Sequence, residues 1–394
     1  MKYNIIKMED ALDALIDYRG KTPTKSESGI KTLSAKSVKN GYIDYSQCYF
    51  ISKEEYDRFM VRGFPKTGDI LLTTEAPMGL VARLDRDDVA IAQRLLTLRG
   101  KKDVLDSDYL MYYLQSPKGQ AALKARETGT TVTGIKQAEF RKIELELPDY
   151  DYQMKVSGIM RAIDKKIELN NAINENLEQQ AQAYFQELFI ENADPNWKTG
   201  TISDLGTVVG GSTPSKSKPE YYTEKGIAWI TPKDLSVNKS KFVSRGENDI
   251  TELGLNNSSA SIMPEGTVLF SSRAPIGYIA IAAGEVTTNQ GFKSVVPKPE
   301  IGTAFVYFFL KQNLPVIEGM ASGSTFKEVS GSTMKNIPAT VPDADTISKF
   351  NDFCTPIFVQ QRILEEQNQS LTELRNNLLP KLMTGEIDLT EIQF

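Results

Sequence analysis

This 394-residue chain contains no histidine. That absence removes Ser-His-Asp and Cys-His triads, histidine general bases and most zinc or non-haem iron sites. Carboxylates, lysines and tyrosines are what remains for catalysis. Cys48 and Cys354 stand far apart with no partners at metal-ligand spacing, so neither a disulfide framework nor a zinc site is expected, and no cofactor either. Gly20-Lys21-Thr22 has the ending of a phosphate-binding loop, but Leu15 stands where the first glycine is required. Pro148-Asp149 and Pro342-Asp343 hint at a metal-dependent nuclease, yet no Glu-x-Lys follows to hold a metal and poise a water, and both read as strand ends before a helix. Asp194-Pro195-Asn196-Trp197 shares only composition with the base-holding Asn-Pro-Pro-Tyr element of adenine methyltransferases and lies at a helix end. None of these fragments completes a catalytic motif.

Binding chemistry has more to work with. Lys36 and Lys233, each after a predicted strand, suit phosphate contacts or are solvated surface lysines. The hydroxyl pairs Thr73-Thr74 and Ser271-Ser272 precede an Ala-Pro turn, where Thr74 and Ser272 either reach a nucleic acid or hydrogen-bond the turn. Gln93 and Gln290 could meet an adenine edge or cap buried backbone. Arg94, Lys136, Arg273 and Lys327 are basic residues in loops and candidate base readers. The net charge of -5 speaks against a generally basic surface, but its distribution is uneven. Residues 1–150 carry +2 and 199–342 carry +1, while 151–198 carry -3 and 343–394 carry -5.

These candidates come in pairs because the chain repeats itself. GDILLTTEAPMGLVA from Gly68 corresponds to GTVLFSSRAPIGYIA from Gly266, and Gln93 in AIAQRLL to Gln290 in TTNQGFK. TGTTVTGIKQAEFRKIELELP falls on SGSTFKEVSGSTMKNIPATVP without a gap, at an offset of 194 residues. Each copy opens with short β-branched runs punctuated by Gly, Pro, Ser and Thr, together with helical stretches such as DSDYLMYYLQS, which predicts a mixed α/β domain.

After Pro148 and Pro342 the punctuation stops and apolar residues recur at heptad spacing. The first seam holds Val156, Met160, Ile163, Ile167, Leu177, Ala181, Tyr184 and Leu188, interrupted by Asn170 and Asn174. The second holds Phe350, Cys354, Ile357, Leu364, Leu371, Leu378 and Leu382, with Asn368 one repeat after Asn174. Two such stripes either pack on their own domains or on each other. In the second case Asn174 and Asn368 approach one another or pair with Asn170 and Gln361, fixing register at a cost in stability. The reading is α+β: domains at 1–150 and 194–343, helical segments at 151–193 and 344–394, and a pseudo-two-fold internal repeat with an antiparallel coiled coil.

Residues of this kind in this order resemble the specificity (S) subunit of type I restriction-modification systems, over essentially the whole chain. SSRAPIGYIAIA, TTNQGFK, SGSTFKEVSGSTMKNIPATVP and LRNNLLPKLMTGEIDL carry the resemblance together. It implies two target recognition domains that each read half of a split double-stranded DNA site. It also implies a coiled coil that spaces them and docks two methyltransferase subunits, with restriction and translocase subunits able to join. A cytoplasmic, non-membrane protein follows, and no apolar run approaches the ~20 residues that cross a bilayer. The first copy departs from the pattern, with Glu75 where the second has Arg273, and AQRLL where the second has NQGFK. The rival classes are a stand-alone DNA-modifying enzyme and a coiled-coil scaffold without DNA specificity.

Overall fold

The computed structural model describes residues 3–129, 133–323 and 327–389. They fall into two units, one of residues 1–167 with 370–394 and one of residues 168–369.

In the first unit an antiparallel sheet runs in the order Leu12–Asp17, Leu95–Gly100, Ile70–Thr73, Val81–Arg83. Side chains alternate faces along a strand, and both faces of Ile70–Thr73 are covered. Ile70 and Leu72 join Tyr109, Leu110 and Leu114 of the helix Ser107–Gln115, whereas Leu71 joins a second cluster with Leu33, Ile51 and Ile91. The sequence ILLT therefore shows no polar alternation. The second cluster lies under a small sheet in the order Tyr49–Ile51, Ile30–Leu33, Ala90–Ile91, whose last two strands are parallel. Asn4–Lys7 pairs with Glu144–Leu147.

The second unit repeats this plan. Its larger sheet is ordered Gly206–Gly210, Lys293–Pro297, Val268–Ser272, Ile276–Ala282, Phe242–Val243. Val268 and Phe270 point into a cluster with Phe305 and Phe308 of the helix Thr303–Gln312, and Leu269 into one with Ala228, Ile230 and Phe292. A smaller sheet is ordered Tyr222–Thr223, Asn248–Ile250, Ile227–Ile230, Thr287–Thr288, again with its last two strands parallel. Lys198–Thr201 pairs with Pro338–Val341. The fold class is α+β with an internal repeat.

Two long helices, Tyr150–Gln186 and Ala344–Thr384, each contribute to both units, and the first ends in wider turns at Glu187–Glu191. The aspartates of the two Pro-Asp pairs start them. The Asp149 carboxylate accepts from the Tyr152 N–H at 2.8 Å and that of Asp343 from the Thr346 N–H at 2.9 Å, satisfying otherwise unpaired N-terminal donors. The helix segments within each unit run antiparallel. In the first unit the Tyr152 hydroxyl donates to the carbonyls of Leu382 at 3.1 Å and Ile387 at 3.0 Å, while Asp164 pairs with Arg375 at 3.0 Å. In the second, Tyr184 packs on Phe350 and Phe353 at one end and Asn170 donates to Asn368 at 2.9 Å at the other.

The predicted seam carries this pairing with one shift. Val156, Met160, Ile163, Ala181, Phe350, Cys354, Ile357, Leu364 and Leu382 are buried, and Ile167, Leu177 and Leu371 are half-buried. Near the end of the first helix Phe185 and Phe189 are buried where Tyr184 and Leu188 are half-buried, so the stripe drifts by one position. Asn174 and Asn368 do not bond each other. Asn170, fully buried, bonds Asn368, while the Gln361 side chain donates to the Asn174 carbonyl at 3.1 Å. The reason is direction: partners across an antiparallel pair descend along one helix as they ascend along the other, so when Asn170 meets Asn368 the Asn174 position faces residues before Asn368, and the Gln361 side chain reaches it.

Within the second unit the domain is fastened to these helices by a buried ionic cluster. Lys241, 8 % exposed, reaches Glu178 at 2.7 Å and the Gln361 side-chain oxygen at 2.8 Å. Its ammonium lies 3.5 Å from the centroid of the Phe358 ring, an attraction that desolvation strengthens. Glu178 also holds Lys311 at 2.5 Å and accepts from the Tyr307 hydroxyl at 3.1 Å. Glu365 accepts from the backbone N–H of Lys241 at 2.8 Å and of Phe242 at 3.0 Å. Burial pushes the Glu178 carboxyl up, but two lysines outweigh it and hold the group at about 2. Burial pulls Lys241 down to about 8 against the opposing pull of the Glu178 carboxylate, and the nearby Lys311 charge lowers it further.

Glu178→Gln should destabilise the protein by about 3–5 kcal/mol, since it leaves Lys241 buried without its counter-ion, as denaturant unfolding will measure. The depressed carboxyl adds stability that is complete above the ordinary glutamate value of about 4.3. That stability is lost as pH falls toward about 2. The wild-type thermal midpoint should therefore drop more steeply over that window than the variant's. Replacing Asn170 and Asn368 together by Leu should raise the midpoint while loosening register. Asn368→Leu alone should cost about 1 kcal/mol, because it leaves the buried Asn170 amide only its longer bond to Gln367 at 3.4 Å.

Candidate nucleic-acid interface

In each unit a parallel strand pair brings two of the predicted polar turns to one edge. Ile30–Leu33 and Ala90–Ile91 end on the same side, so the turn bearing Lys36 and the turn bearing Gln93 and Arg94 emerge together. The Ala92 N–H donates to the Leu33 carbonyl at 2.8 Å. In the second unit Ile227–Ile230 and Thr287–Thr288 do the same for Lys233 and Gln290, with the Asn289 N–H on the Ile230 carbonyl at 3.0 Å. Lys36, Arg94, Lys136, Lys233, Gln290 and Lys327 are exposed; Gln93 and Arg273 are half-buried.

The doubly buried strand delivers the third component, the Ala-Pro turn. Ala76–Pro77 and Ala274–Pro275 are both cis, and Ala76 and Ala274 have φ of 52° and 48°. The Thr73 hydroxyl accepts from the Leu80 N–H at 2.9 Å and the Ser271 hydroxyl from the Tyr278 N–H at 2.7 Å, closing the two turns alike. Gly79 and Gly277 follow at φ 90° and 94°, a conformation that glycine adopts without strain. A side chain at Gly277 would also meet Leu314 at 2.6 Å.

Two of the expected contacts are corrected here. Thr74 and Ser272 are buried, at 1 % and 0 % exposure. Ser272 gives its hydroxyl to the Gly291 carbonyl at 3.0 Å, and the Thr74 hydroxyl has no hydrogen-bond partner among the described residues. The backbone N–H of each bonds the facing turn, Thr74 to the Arg94 carbonyl at 3.0 Å and Ser272 to that of Gly291 at 2.7 Å. These positions knit the turn to its neighbour from inside and do not face solvent.

In the second unit the edge is concave. A cavity of about 500 Å³ is lined by Lys233, Arg273, Asn289 and Gln290 together with Thr213, Trp229, Asp234, Glu247 and Asn248. Gln290 accepts a hydrogen bond from Thr213, Lys233 pairs with Glu247 at 2.6 Å and Arg273 with Glu328 at 3.4 Å. The Glu247 contact pushes the Lys233 ammonium up. Trp229 is anchored by its indole N–H on the Ser212 carbonyl at 3.0 Å and packs edge-on against Tyr222. In the first unit Arg94 pairs with Glu75 at 2.7 Å, and Lys136 follows Ile135, whose N–H donates to the Thr74 carbonyl at 2.9 Å. A cleft beside that turn is lined by Met78, Gln120, Lys124 and Glu127. The amides and guanidinium groups offer the paired donors and acceptors that read base edges, and the lysines suit phosphates. Sequence reasoning did not single out Asn248, Asn289, Trp229 or Glu328; the strand pairing and the Arg273–Glu328 bridge that bring them to this edge are visible only in the fold.

The family model described as "Type I restriction modification DNA specificity domain" matches residues 15–179 and 195–382. The MjaIX type I restriction enzyme specificity subunit of Methanocaldococcus jannaschii is 39 % identical over 191 residues, 46 % of this chain and 44 % of that relative. The HindI specificity subunit of Haemophilus influenzae is 24 % identical across 82 % of this chain and 87 % of its own. The crystal structure of a type I restriction-modification system S subunit from M. genitalium matches the fold with a TM-score of 0.63 at 16 % identity, over 97 % of this chain and 96 % of that one.

Ser272→Ala should cost about 1 kcal/mol, because it removes a buried hydroxyl hydrogen bond from a carbonyl that keeps its backbone donor, whereas Thr74→Val should be neutral or stabilising. Chemical denaturation of the two variants checks this inside role.

Proposed function

The chain belongs to the type I restriction modification DNA specificity family, and on that premise we propose that it is the non-catalytic subunit that reads a split, asymmetric double-stranded DNA site. Residues 1–150 and 194–343 are the two reading domains. Residues 151–193 and 344–394 space them and dock two methyltransferase subunits, which the chain directs to the site, and restriction and translocase subunits are able to join the same complex. The assembly works in the cytoplasm. No helix among the described residues is long and apolar enough to cross a membrane.

One observation carries the reading. The two units repeat the same turn, the same parallel strand pair and the same buried hydroxyl, yet place different polar side chains on that frame: Glu75 and Arg94 in one, Arg273, Asn289 and Glu328 in the other. Framework contacts position a protein on DNA and base contacts specify sequence. A shared frame with different side chains is what two different half-sites ask for.

Exchanging residues 1–150 for those of another specificity subunit should change one half-site in the pattern of modified adenines and leave the other intact. Changes in both halves would refute separable reading.

A further inference from the structure

Three backbone positions around the Ala-Pro turn are equivalent in the two units. Glu75 and Gly134 form an antiparallel bridge, as do Arg273 and Glu328. The N–H of Ile135 donates to the Thr74 carbonyl and that of Val329 to the Ser272 carbonyl, both at 2.9 Å. The N–H groups of Thr74 and Ser272 donate in turn to the carbonyls of Arg94 and Gly291. Positions 75, 94 and 134 thus correspond to 273, 291 and 328. The first set holds Glu, Arg and Gly; the second holds Arg, Gly and Glu. Each unit has one guanidinium, one carboxylate and one glycine, permuted over the same frame, and in each the guanidinium meets the carboxylate.

We propose that Arg94 and Arg273 are counterpart base-reading residues, one for each half-site, although they do not align in the repeat. This deepens the reading of the chain as a DNA-specificity subunit and rests on it. Sequence alignment of the copies sets Arg273 against Glu75, an apparent charge reversal; in space the positive group is kept and only its point of attachment changes. Both side chains are accessible, Arg94 at 53 % and Arg273 at 37 %. The group is arginine both times, whose rigid fork of donors matches the O6 and N7 acceptors of guanine, where a lysine would satisfy a phosphate as well. The neighbouring carboxylate argues the same way. It repels a phosphate, but it orders the guanidinium beside a neutral guanine edge and lowers the entropy lost on contact. Because the two forks spring from different segments, they enter the groove from different directions, so a common tool reads different positions in the two half-sites.

The test uses the full chain in complex with its methyltransferase, on duplexes in which one base pair at a time is changed, with modified adenines mapped by sequencing. Arg94→Ala and Arg94→Lys should each lower discrimination at one guanine-containing base pair of the first domain's half-site by roughly 10- to 100-fold. The other half-site should be read as before, which also shows that the complex is folded. Arg273→Ala and Arg273→Lys should do the same in the second half-site alone. Discrimination retained in the Lys variants, or a uniform loss of methylation on every duplex with the motif unchanged, overturns the proposal in favour of phosphate contacts. A wild-type complex that methylates without sequence preference overturns the underlying reading itself.

Discussion

Both units depend on one strand whose two faces are buried. Ile70–Thr73 and Val268–Ser272 each send alternate side chains into two different apolar clusters, one against a helix and one under a small sheet. A one-residue slip would exchange the clusters, and every side chain would meet the wrong neighbours. That constraint fixes the strand along its length and so fixes where it stops. The hydroxyl pair, the Ala-Pro turn and the junction with the facing loops are placed by the same burial that stabilises the domain. Recognition residues can then vary at the edge without disturbing what holds them.

Much of this architecture is legible in the residues. The repeat, the mixed α/β character of each half and the two long helices follow from order, punctuation and heptad spacing, and the two Pro-Asp pairs do mark helix starts. The seam was readable except at its end, where Phe185 and Phe189 take the core positions assigned to Tyr184 and Leu188. A heptad count presumes 3.5 residues per turn, and an ordinary helix drifts from it. The asparagine pairing was legible only as two alternatives, because sequence sets which residues are polar and the crossing point of the helices sets which of them meet.

The interface was harder to read, for a physical reason. Lys36, Gln93, Lys233 and Gln290 were proposed from predicted strand ends, and the parallel pairing brings the turns that carry them together. Thr74 and Ser272 were misjudged because a hydroxyl beside a turn has the same composition whether it faces in or out. Lys241 gave no sign at all. A single lysine in a polar loop reads as solvated surface, and only the tertiary fold puts Glu178, Gln361 and the Phe358 ring around it. The exchange of Glu75 and Arg94 for Arg273 and Gly291 was also invisible, since alignment compares positions and the charge is conserved in space.

On the proposed function, a doubly buried strand in each copy, different polar groups on a common edge and helices shared by both units serve two independent reading surfaces. The most direct measurement is to express the chain with its methyltransferase and map the modified adenines across the genome. Two unlike half-sites separated by a constant number of unread base pairs are predicted. A single uninterrupted motif, a palindrome with identical halves, or modification without a motif would contradict the account.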